Sequence, residues 1–68
     1  MKIGNNLKVW RARGDVSQQA LADAVGLSRQ TVHSIERGKF VPSALTVLKL
    51  ARFFDTKVEE LFYMIEEE

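Results

Sequence analysis

Between residues 29 and 37 the chain reads RQTVHSIER, and its polar members fall at the spacing of one helical face. If Val32 and Ile35 are buried, a turn of about 100° per residue sends Gln30, His33, Ser34 and Arg37 to the opposite side, with Arg29 and Thr31 flanking them. Arginine pairs bidentately with guanine, glutamine with adenine, and serine or threonine with several base edges, so this face carries the chemistry needed to read a duplex. The same face also has a plainer reading, since charged and polar side chains belong in water. The residues in front of it decide between the two.

Those residues set up a second, preceding helix. Leu21 and Val25, then Val32 and Ile35, lie three or four apart on either side of Gly26, as expected for two short amphipathic helices that bury facing stripes. Ala22 supplies the small side chain that crossing helices need, and Gly26 ends the first of them with a backbone open to positive φ. Ser28 is placed to cap the next helix, with Leu27 and Val32 as its hydrophobic staple. Val16, Ser17 and Leu21 repeat the same grammar one helix earlier. The unit spans about residues 17–37.

The ordered set Gln18, Ala22, Gly26, Val32 and Ile35 resembles the helix-turn-helix of the Cro and cI repressor type, a large class of small bacterial and archaeal regulators. SRQTVHSIERGKFVPS followed by LKLARFF and VEELF extends the likeness from about Leu7 to Leu61. The resemblance implies an all-α, compact five-helix bundle of the lambda-repressor-like type that binds double-stranded DNA. It implies base contacts for Arg29, Gln30 and Ser34, and more variable base or phosphate contacts for Thr31 and His33. It gives Gln18 a phosphate contact and a role bracing Arg29. Lys39 and Ser43 match a second backbone-contacting region, where free N–H groups at a helix start help to hold phosphate, and Arg37 is a further phosphate-binding candidate. Arg11 and Glu36 match an ion pair that holds the recognition helix in register, and that role is structural.

Length and composition agree with such a reading. A chain of 68 residues is expected to form one domain over 1–68, and it buries only about 60% of its unfolded surface, which suits helices joined by local contacts. There is no cysteine, hence no disulfide framework or cysteine-based zinc site. The start, MKIGNN, lacks the apolar core of a signal peptide, and no apolar run approaches the ~20 residues of a membrane span, so a cytoplasmic protein is expected. The net charge of +1 is uneven. Residues 1–39 hold seven Lys or Arg against three Asp or Glu, and residues 40–68 hold three against six, giving +4 and −3. Such polarity suits a protein that turns one face to phosphate.

The rest of the chain is expected to be helical too. A first helix is read from near Gly4 or Asn5 to Arg13, with Ile3, Leu7 and Trp10 on one face. Gly38 ends the recognition helix, Pro42 keeps Val41 extended, and Ser43 caps a fourth helix whose Leu45, Leu48, Ala51 and Phe54 form the widest apolar face. Thr56 and Glu59 read as a capping box for a fifth helix over about 57–65, and Glu66 to Glu68 as a frayed tail. No strand is expected. His33 is the sole histidine and has no carboxylate beside it on its face, so neither a metal nor a cofactor is expected, and no nucleophilic or nucleotide-cradling motif points to an enzyme.

Phe62, Tyr63, Met64 and Ile65 exceed what the last helix needs for packing, and are candidates for a homodimer contact. In this family a two-fold dimer would set two recognition helices about one DNA turn, ~34 Å, apart on a palindromic operator. The sequence thus reads as a DNA-binding transcriptional regulator, most simply a repressor. The rival is a protein-interaction module, such as an antitoxin-type or co-regulator domain with weak or no DNA binding. Polar Arg29 and Gln30 speak against the rival. The small net charge and the aromatic C-terminal stretch speak for it.

Overall fold

The computed structural model describes residues 1–67. In chain order the elements are strand β1 (Lys2–Asn5), helices α1 (Leu7–Gly14), α2 (Gln18–Val25), α3 (Arg29–Glu36), α4 (Ala44–Phe53) and α5 (Val58–Leu61), and strand β2 (Phe62–Ile65). Five helices surround one core made of Leu7, Leu21, Ala22, Val25, Val32, Ile35, Leu50, Ala51 and Leu61. The expectation of an essentially all-α domain with five helices is therefore met, and the departure lies at its two ends, where the strands stand.

The helix starts obey the cap grammar. Ser17, Ser28 and Ser43 each hold an extended backbone, and each side-chain oxygen accepts from the N–H three residues on, that of Ala20, Thr31 and Thr46 respectively. Val16 and Leu27 pack on the core as the staples require. Gly26, at φ 74°, turns the chain from α2 into the approach to α3, and its side of the turn leaves no room problem that a side chain would meet. The left-handed backbone alone makes glycine the fitting residue there.

Two expected helical stretches are strands. β1 pairs antiparallel with β2 in the register Lys2 with Ile65, Ile3 with Met64, Gly4 with Tyr63 and Asn5 with Phe62. The first helix begins at Leu7 rather than near Gly4 or Asn5 because Asn5 and Asn6 are held elsewhere. Asn5 donates to the Ile35 carbonyl at 2.9 Å, and the Asn6 N–H donates to Leu61 O at 2.8 Å. The fifth helix stops at Leu61 instead of Ile65. Phe-Tyr-Met-Ile is rich in the aromatic and branched types that fit a pleated surface, and β1 offers it a ladder. The Tyr63 ring lies over Gly4, so a Cβ there would stand 2.6 Å from Tyr63 Cζ and 2.8 Å from Tyr63 Oη.

The proposed capping box at Thr56 also gives way. The Thr56 N–H donates to Ala51 O and that of Asp55, at φ 53°, donates to Arg52 O, so both residues close α4. Lys57 is the residue that precedes α5, and its side chain makes no cap bond. On α4 the buried residues are Leu50 and Ala51, with Phe54 partly covered, while Leu45 and Leu48 are largely exposed. The chain buries α4 on a narrower stripe than its apolar content suggested. Glu67 pairs with Lys2 at 2.9 Å across the ribbon's end, and Glu68, the last of the acidic tail, lies outside the described residues.

Candidate nucleic-acid interface

α3 presents the face read from the sequence. Val32 and Ile35 are buried to within 2% of their surface, which fixes the rotation of the helix. Arg29, Gln30 and His33 are exposed, while Thr31 and Ser34 are half-buried. Arg29, Gln30 and His33 line one shallow hollow together with Gln18 of α2. Four of the expected contact residues are thus gathered at one place, three turned outward by the buried stripe of α3 and Gln18 supplied by the start of α2.

The Gln18 side chain reaches across to α3. Its Nε2 lies 3.1 Å from Glu36 Oε1 and 3.2 Å from His33 Nδ1, so its amide nitrogen is engaged by the middle and end of α3. Glu36 in turn is gripped by Arg11, Nε to Oε2 at 2.5 Å and Nη2 to Oε1 at 2.9 Å, and Arg11 Nη1 donates to Val16 O at 3.0 Å. The side chains of this pair keep only 14% and 6% of their exposure. That is the buried regime, in which an ion pair is held by fork geometry and further hydrogen bonds.

Protonation follows from the same geometry. Burial pushes the Glu36 carboxyl upward, but the hydrogen bonds from Arg11 and Gln18 and the charges of Arg11 and Lys8 outweigh it, leaving Glu36 below its usual range. Arg11 moves up, chiefly through its hydrogen bond to Glu36, against a desolvation effect of the opposite sign. Both groups are charged at neutral pH.

The other expected residues are spread around this centre. Thr31 and Ser28 share a hydroxyl contact at 2.8 Å, so Thr31 takes part in the cap of α3. Ser43 is committed to capping α4, with its hydroxyl 3.1 Å from Thr46 Oγ1. Lys39 is exposed just past α3, its N–H bonded to Ser34 O at 2.9 Å. Arg37 stands apart from Arg29, in a second hollow with Gly38, Val41, Tyr63 and Ile65 beside the ribbon. Of the proposed dimer residues, Tyr63, Met64 and Ile65 are exposed, whereas Phe62 packs on the core and is the least available.

Two residues were missed. Phe40, half exposed, borders a hollow with Ser28, Gln30, Thr31 and Ser34, directly beside the polar face. An isolated phenylalanine in a polar loop was the available signal. Asn5 anchors the ribbon to the end of α3, and nothing local in the sequence marks it. Among the described residues no group of three or more His, Cys, Asp or Glu side chains stands ready for a metal ion, and no helix is long and apolar enough to cross a membrane.

Residues 7–61 match the helix-turn-helix family profile. The chain is 46% identical over 63 residues to the uncharacterised HTH-type transcriptional regulator YgzD of Bacillus subtilis (strain 168), covering 93% of this chain and 96% of that one. Among solved structures it is similar to the restriction-modification controller protein C.AhdI from Aeromonas hydrophila, with 37% identity and a TM-score of 0.74 over 79% of this chain and 82% of that one. It is also similar to the P22 c2 repressor, solved with a synthetic operator, at 23% identity and a TM-score of 0.74 over 78% and 80%. That last likeness speaks to fold alone.

Proposed function

This chain belongs to the helix-turn-helix family of DNA-binding transcriptional regulators, which are not enzymes, and from that premise we propose that it binds a palindromic operator as a homodimer and represses transcription there. The observation that carries the reading is the hollow formed by Gln18, Arg29, Gln30 and His33 over the buried Val32 and Ile35. It gathers donors and acceptors from α3 and the start of α2, of the types that pair with base edges in the major groove. Arg29 and Gln30 read bases, with Thr31, His33 and Ser34 beside them. Lys39, Arg37 and the first turns of α2 and α4, at Gln18 and Ser43, meet phosphate. Such a protein works in the cytoplasm, where its DNA lies.

Doubling is needed because one domain reads only a few base pairs. Tyr63, Met64 and Ile65, with Ile3 beside them, give the ribbon an exposed apolar surface that suits a second copy. Arg37 shares a hollow with Tyr63 and Ile65, so a partner seated there would lie close to the end of α3. Occlusion of a promoter is the simplest mode of control for a domain of this size.

The test is selection of bound sites from random duplexes, followed by a salt titration on the selected site. A two-fold symmetric site is expected, with affinity falling steeply with log[salt]. Binding that ignores both sequence and salt would instead favour the protein-interaction reading, which the exposed Tyr63, Met64 and Ile65 also suit.

A further inference from the structure

The side-chain amide of Gln18 lies between Glu36 and His33, and the chemistry of the first dictates what it can offer the second. Glu36 is ionised and fixed by Arg11, and an ionised carboxylate only accepts hydrogen bonds. If the amide were reversed, its carbonyl oxygen would lie about 3.1 Å from Glu36 Oε1, with no proton between two acceptors. The carboxylate therefore turns Nε2 toward α3. Its two N–H groups are then both used, one by Glu36 Oε1 and the other by His33 Nδ1 at 3.2 Å.

His33 Nδ1 must accept this second bond, so the proton of the neutral ring resides on Nε2, the nitrogen away from Gln18. We propose that the buried Arg11–Glu36 pair sets the hydrogen-bond polarity of the reading face through Gln18. His33 then presents an Nε2–H donor, and the Gln18 side chain presents only its Oε1 acceptor. This deepens the DNA-reading function above and rests on it.

The assignment selects partners. An Nε2–H donor matches guanine O6 or N7, adenine N7, thymine O4 or a phosphate oxygen, and it rejects the exocyclic amines of adenine and cytosine. The free Oε1 of Gln18 takes the opposite set, namely those amines or a guanidinium such as that of Arg29, which borders the same hollow. An acceptor does not bind phosphate. The phosphate contact expected of Gln18 therefore falls to its main-chain N–H, one of the first-turn groups with no partner inside the helix. Gln18 and Glu36 are positioning residues in this scheme, and His33 is the residue that touches the ligand.

The test is the tautomer of His33 in the free, uniformly labelled protein, read by long-range proton–nitrogen correlation on the neutral ring. A predominantly Nε2–H form is expected in the wild type. One such hydrogen bond shifts a two-state ratio by about two- to tenfold, so the Nδ1–H fraction should rise by that factor in Gln18→Ala. Gln18→Glu, which puts an acceptor beside Nδ1, should raise it further. Glu36→Gln frees the sense of the amide and should behave like Gln18→Ala. The Gln18 variants alter a half-exposed side chain and decide the matter even if Glu36→Gln does not fold. The same tautomer ratio in the wild type and both Gln18 variants would overturn the proposal. No DNA enters this measurement, so failure to bind a duplex would sink the function and leave the tautomer result standing, and the reverse also holds.

Discussion

Arg11 of α1 grips Glu36 of α3 through two parallel hydrogen bonds across 25 residues of chain, with both side chains largely out of water. Removing one partner strands the other charge. Arg11→Ala is expected to cost ~3–5 kcal/mol in urea denaturation, whereas an exposed pair would cost ~0–1. Replacing both residues by methionine and leucine should recover much of the loss. A single-substitution cost under about 1 kcal/mol would show that the pair is effectively solvated.

The same pair makes stability depend on acid. Glu36 has a lower pKa folded than the ordinary 4.5, so the unfolded chain takes up its proton first as pH falls. The stabilisation is complete above that ordinary value and is lost as pH drops through the folded one. Urea midpoints measured from neutral pH downward should therefore fall through the acidic range in the wild type. Glu36→Gln should start lower and fall less. Parallel profiles would place the acid sensitivity elsewhere.

Base reading and phosphate binding should separate by residue. Arg29→Ala and Gln30→Ala are each expected to relax preference at particular operator positions by ~1–3 kcal/mol. Lys39→Ala should weaken all sequences about equally and reduce the salt slope by about 1. A competition assay over single-base variants of the selected site checks both, and a position-specific loss on Lys39→Ala would refute the division.

The ribbon supplies a stability test of its own. In Gly4→Ala the new methyl meets the Tyr63 ring, and overpacking of this kind costs ~1–3 kcal/mol. Adding Tyr63→Ala should relieve part of that strain. Thermal melts of the two single variants and the double variant measure it, and a purely additive double variant would mean that the two residues do not touch in solution.

Self-association should map to the exposed strand. Met64 is 71% exposed, so Met64→Glu is expected to leave the fold intact while shifting the protein toward monomer in sedimentation. Operator affinity should fall with it. A Met64→Glu protein that remains dimeric would move the interface off the outer part of β2.

Most of the reading unit was legible because its signals are local. Ser17, Ser28 and Ser43 each announce a helix within four residues, and Gly26 and Gly38 follow helices with a positive φ. Arg11 and Glu36 were found through family resemblance, not spacing. The ribbon was not legible. Its strands are four residues each, too short to show alternation clearly, and they pair across the whole chain. Leu61 and Ile65 lie four apart, so β2 mimics one more helical turn. The exposure of Leu45 and Leu48 was missed for a related reason, since periodicity gives the apolar face of α4 but not how much of it a small core can cover.

Pairing the first strand with the last also imposes an order on synthesis. While the chain leaves the ribosome, α2 and α3 can find each other through contacts close in sequence, but Lys2–Asn5 must wait with an unfilled edge until residues 62–65 have emerged. Asn5 reaches Ile35 from that same waiting segment, so the end of the recognition helix receives its final anchor only when translation has passed the fifth helix.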